Sequence, residues 1–177
     1  MQKRIRRIAA VGLLSALALA VTYPLAGIPN VKFFELCLFL SGIFLGFRGG
    51  VSVPLIAGTI YIMFNPNGPQ TVLLVGIAQI VGFLLFGLAG AVFGKMILAN
   101  NRRLIGMTFC AAIGVFLTFV YDLITNAAWG ITIGALMPAI YSGIAFSLLH
   151  MAANGLIFGL AEPLLVRIWK AVYPLLD

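Results

Sequence analysis

Apolar stretches of membrane-spanning length follow one another along almost the whole chain, which limits it to a fold built in lipid. A helix needs about 20 mostly apolar residues to cross the hydrocarbon layer. Turn signals and charges divide the sequence into six predicted spans, at 8–26, 33–47, 51–64, 71–98, 104–129 and 138–165. Spans two and three are short and separated only by Arg48-Gly49-Gly50, so one long, broken helix is the rival reading there. The expectation is an all-α integral membrane protein, a single six-helix transmembrane domain over residues 1–177 with both termini cytoplasmic. Composition agrees. Of the 177 residues 63% are hydrophobic and 8% charged, where soluble domains carry roughly a quarter charged residues. A soluble enzyme or nucleic-acid-binding domain is therefore excluded.

The net charge of +7 reads as a topology signal. Cytoplasmic loops collect Lys and Arg. With the start of the chain inside, Lys3, Arg4, Arg6, Arg7, Arg48, Lys95, Arg102, Arg103, Arg167 and Lys170 all fall inside, and only Lys32 falls outside. Merging spans two and three would move Lys95, Arg102 and Arg103 to the wrong side. The basic start followed by Ala18-Leu19-Ala20 is also similar to a signal peptide, but retention as the first helix is the favoured reading. Cys37 and Cys110 lie near opposite faces of the membrane, too far apart for a disulfide.

Helices in lipid associate through small residues that allow close approach. Gly12, Ala16 and Ala20 share one face of the first span, and Gly90 and Gly94 follow Gly82 and Gly87 in the fourth. The fifth carries Gly106, Cys110, Gly114, Thr118, Asp122 and Asn126, each four residues apart. For each stripe, ordinary packing within the chain competes with a partner interface.

Intramembrane polar groups mark function more often than structure. Asn65, Asn67, Gln79, Asp122, Asn126, Trp129 and Tyr141 concentrate in the outer half and suggest a cavity open to the outside; His150 lies near mid-membrane. Each has an ordinary alternative. Asp122 and Asn126 could pair with a neighbouring helix, His150 could be an interhelical hydrogen bonder, and Trp129 and Tyr141 could anchor at the interface. Neither a phosphate-binding GxxxxGK[ST] loop nor an HExxH pair is present, and G-x-S-x-G is missing as well. No catalytic residue, cofactor or metal site is assigned.

Taken together, the basic start leading into Gly12-x-x-x-Ala16-x-x-x-Ala20, the run from Gly42 and Gly46 through Arg48-Gly49-Gly50 to Pro54 and Gly58, Phe64-Asn65-Pro66, the Gly-rich fourth span, Tyr121–Asn126 and Glu162-Pro163-Leu164 form a pattern. It resembles the substrate-binding S components of energy-coupling factor (ECF) vitamin transporters. The resemblance implies capture of a vitamin-like small molecule, cobalamin-related or flavin-like, in an outward pocket, for which depth along the helices nominates Asn65, Asn67, Gln79, Asp122, Asn126, Trp129, Tyr141 and His150. It also implies docking through Gly12, Ala16 and Ala20 to a transmembrane coupling subunit with two ATPase subunits, in a prokaryotic cell membrane. Three rivals stand beside it: a self-sufficient small transporter or channel, an integral membrane enzyme acting on lipid, and a structural membrane subunit without a ligand.

Overall fold

Chains whose backbone polar groups must be satisfied without water fold as helices, and this one is helical almost throughout. A computed structural model describes residues 2–28, 30–100 and 102–176; Pro29 and Asn101, two of the predicted loop residues, lie outside the described residues, as does the side chain of Lys3. The elements are α1 (Gln2–Thr22), a 3₁₀ turn (Tyr23–Leu25), α2 (Phe34–Met63), α3 (Leu73–Ala99), α4 (Arg103–Thr132) and α5 (Leu136–Leu176). Five helices are long and apolar enough to cross a membrane. The chain is an all-α, multi-pass membrane protein.

The expected count of six is corrected to five, because predicted spans two and three belong to one element. Arg48-Gly49-Gly50 does not end a helix; all three residues are helical. The break falls earlier, at Gly46, whose φ of 66° and ψ of −161° interrupt α2. Glycine alone takes such a backbone without a Cβ penalty. Beyond it the chain turns back on itself. Phe34 stacks on Tyr61 with centroids 4.6 Å apart, and Ser41 Oγ reaches the Leu38 and Gly49 carbonyls at 2.6 and 3.3 Å. The limb before Gly46 has about 12 residues, roughly 18 Å of helix, short of the ~30 Å hydrocarbon layer. α2 is therefore a helical hairpin with Arg48 at its tip.

Both limbs pack on α3 through backbone contact. A Cβ at Gly42 would fall on the Gly87 carbonyl, one at Gly87 on the Gly50 carbonyl, and one at Gly90 on the Phe39 carbonyl. At these three positions only glycine fits. The α4 stripe forms the seam with α5: Gly106 faces Glu162, Gly114 faces Asn154 and Phe158, and Asn126 lies against Gly143. Phe34, Phe39, Phe83, Phe86 and Phe158 are fully buried between the helices.

The small-residue face of α1 behaves differently. Gly12, Ala16 and Ala20 are exposed, and a Cβ on Gly12 would meet nothing within 4 Å. The opposite face packs inward, with Ser15, Ala18 and Thr22 buried. The stripe thus takes no part in packing within the chain.

Arg4 and Arg7 share a cavity with Arg48, while Phe44 stacks near Trp169 at 5.9 Å. The two described ends of the chain and the hairpin tip therefore lie on one side. The rule that basic residues stay inside makes that side the expected cytoplasmic one and the opposite side the outer one.

Candidate functional site

The hairpin opens outward and carries the charged residues of that half. Lys32 precedes α2 and Glu35 lies in its first turn, an i, i+3 spacing that lets them pair: Nζ is 2.8 Å from Oε1. Glu35 is fully buried. Lys32 Nζ also lies 5.6 Å from the centroids of both the Tyr61 and the Tyr121 ring. Burial alone would lower its affinity for a proton, but Glu35 outweighs that, and with Tyr121 and Tyr61 holds it above the ordinary lysine value. The ammonium is thereby favoured as the partner of the Glu35 carboxylate.

Beneath it, α4 and α5 supply a buried polar chain. His150 Nδ1 lies 3.0 Å from Asp122 Oδ1, and its Nε2 is 3.8 Å from Glu35 Oε1. Asn154 Nδ2 donates to Thr118 Oγ1 at 2.8 Å and lies 3.4 Å from His150 Nε2. The tautomer with its proton on Nδ1 satisfies both neighbours, donating to Asp122 and accepting from Asn154. Tyr121 meets the His150 ring edge-on at 6.0 Å. Glu35 Oε2, Asp122 Oδ2 and Asn154 Oδ1 have no hydrogen-bond partner among the described residues. Buried acceptors without a donor cost about 1–3 kcal/mol each, so these three oxygens are where the cluster can accept further hydrogen bonds.

An outer cavity of about 350 Å³ is lined among others by Tyr23, Asn30, Lys32, Tyr61, Asn67 and Phe146, and of the cluster and its aromatic neighbours only Lys32 and Tyr61 reach it. Asn30 takes a left-handed backbone at φ 60°, which Asn tolerates better than most residues. Its Nδ2 donates to the Phe146 carbonyl at 3.1 Å and fastens the loop to α5. Below the cluster, fully buried Phe39, Phe86 and Phe158 close the way inward.

The residues singled out from sequence divide accordingly. Asp122 and His150 meet in the buried cluster, and Asn67 lines the outer cavity. Asn65 shapes the turn, its Oδ1 accepting from the Asn67 amide at 2.9 Å. Gln79 is half-buried on α3 with Oε1 unpartnered among the described residues. Asn126 lines an α4–α5 cleft with Ser147, 3.5 Å away, and Asp122 lines the same cleft. Trp129 and Tyr141 are 46% and 69% exposed and line neither cavity, positions suited to interfacial anchoring. Lys32, Glu35, Thr118, Tyr121 and Asn154 complete the site without having been assigned to it. The i, i+3 pair of the sparse outer charges was the available signal for the first two. Among the described residues, no three His, Cys, Asp or Glu side chains come together to hold a metal.

The Asp122–His150 contact gives a direct stability test. Asp122→Ala strands the imidazole Nδ1–H, at a cost of about 1–3 kcal/mol. Asp122→Asn keeps an acceptor and should lose less. Thermal unfolding in detergent should therefore rank wild type above Asn above Ala.

Comparison with known proteins bears on what such a site does. No protein-family model matches the chain, and no solved structure does. A curated protein, the fluoride-specific ion channel FluC of Acinetobacter baumannii, is 31% identical over 93 residues, covering 74% of the channel and 50% of this chain. The chain belongs to the FluC family. Half of it extends beyond the matched region. This relationship overturns the ECF reading of the sequence, and with it the vitamin substrate, the coupling subunit and the ATPase partners: FluC is a channel and not an ATP-driven importer subunit. The resemblance had rested on a pattern of small-residue stripes, short polar segments and helix count without a single diagnostic motif, and many membrane bundles share the stripes because lipid demands close packing of all of them.

Proposed function

We propose that this chain is a self-sufficient small channel of a prokaryotic cell membrane, admitting a small anion through its outer cavity. The observation that carries the reading is Lys32, an ammonium that lines the cavity close to two tyrosine rings and is paired on its buried side with Glu35. Charge concentrated at the mouth of a low-dielectric cleft raises the local concentration of counter-ions. The name of the FluC relative supplies fluoride as the first anion to try. The unpartnered acceptors of Glu35, Asp122 and Asn154 hold water that accompanies the ion, and the α4–α5 seam continues inward past Phe158 to Cys110, Gly106 and Glu162.

The test is electrode-monitored efflux from liposomes containing only the purified protein and loaded with potassium fluoride, with valinomycin to balance charge. Fluoride should leave at least about tenfold faster than from protein-free liposomes, and faster than chloride. No efflux above the protein-free rate sinks the proposal. The aromatic seal of Phe39, Phe86 and Phe158 favours a second reading, a carrier that opens alternately to each side. Slow efflux that saturates with anion concentration would select it over an open pore.

A further inference from the structure

A larger cavity lies away from this site, at the cytoplasmic end between α1 and the tip of the α2 hairpin. Its volume is about 780 Å³, and Arg4, Arg7, Gly12, Leu45, Arg48 and Ile56 are among the residues lining it. The three arginines come from two elements that meet only in the folded structure. All three are exposed, and none forms an ion pair within the chain among the described residues. Basic residues at helix ends commonly extend to the headgroup layer without any specific ligand. These converge on a cavity.

The cavity also has depth. From Arg4 to Gly12 is about two turns of helix, roughly 12 Å, which reaches from headgroup level into hydrocarbon. Its upper wall is apolar, with Ile8, Val11, Leu45 and Ile56. Gly12 leaves its part of the wall open. A free phosphate would satisfy the guanidiniums and leave the apolar slot empty, whereas a neutral lipid would fill the slot without answering the charge.

We propose that this groove binds one anionic phospholipid, its phosphate between Arg4, Arg7 and Arg48 and an acyl chain along α1. Guanidinium forks suit phosphate oxygens through charge-assisted hydrogen bonds, and the cytoplasmic leaflet is where anionic lipids attract basic clusters.

Native mass spectrometry of the delipidated full chain, titrated with phosphatidylglycerol or phosphatidylcholine of identical acyl chains, tests this. Phosphatidylglycerol should bind at least about tenfold more tightly. Arg4→Gln/Arg7→Gln/Arg48→Gln should remove the preference, while Arg102→Gln/Arg103→Gln, the same charge type elsewhere on that side, should keep it. Gly12→Leu has room to fold and fills the slot, so it should weaken phosphatidylglycerol binding with every charge in place. Inorganic phosphate at equal concentration should not displace the lipid. Equal binding of the two lipids, a preference that survives the triple substitution, undiminished binding in Gly12→Leu, or displacement by phosphate alone would each overturn the assignment.

Discussion

Lys32→Met should reduce anion efflux at least about tenfold and destabilise the protein by about 3–5 kcal/mol. The two effects have different origins. The stability loss comes from Glu35, which is fully buried and whose carboxylate lies 2.8 Å from the lysine ammonium. Removing one partner of a buried pair leaves the other charge without compensation. The transport loss comes from the cavity, which would keep its shape and lose its cation. Adding Glu35→Gln separates them: the double variant should regain most of the stability and none of the efflux. Wild-type efflux in a folded double variant would remove Lys32 from the pathway. The pH dependence has a definite sign. Lys32 is held above the ordinary lysine value by Glu35 despite burial, so its contribution is complete below that value and is lost only as pH rises through the higher folded-state value. Efflux limited by this charge should be flat between about pH 6 and 9.

Gly87→Val should prevent folding. A Cβ there would fall on the Gly50 carbonyl and crowd Pro54, so the clash is with backbone and cannot be relieved by a rotamer change. Ordinary overpacking costs about 1–3 kcal/mol. Separating α3 from both limbs of the hairpin would cost more, because the same crossing includes Gly42 and Gly90. In lipid no hydrophobic force holds separated helices together, and close packing is the main source of association. Size-exclusion chromatography in detergent should show aggregate for Gly87→Val and a single symmetric peak for Gly12→Ala, whose new methyl meets nothing. A monodisperse Gly87→Val would show that the hairpin can move off α3.

Part of the buried cluster was legible for a physical reason. On α4 the four-residue spacing from Gly106 to Asn126 must put small and polar groups on one face, and that face is the α5 seam. His150 stood out because an ionisable residue in mid-membrane needs a partner; Asp122 is that partner. Trp129 and Tyr141 were grouped with them by depth alone. Depth along a helix does not fix direction around it, and both point outward.

The sequence by itself determined the solvent, the helical class and the side on which the basic residues gather, because length, hydropathy and charge act locally or through the membrane. Only the tertiary structure decided that Gly46 folds α2 back, that Lys32 and Glu35 sit above His150, and that Arg48 joins Arg4 and Arg7. These depend on which helix faces which. In a chain this apolar, lipid-facing and helix-facing residues look alike; contact between backbones at Gly42, Gly87 and Gly90 makes the choice.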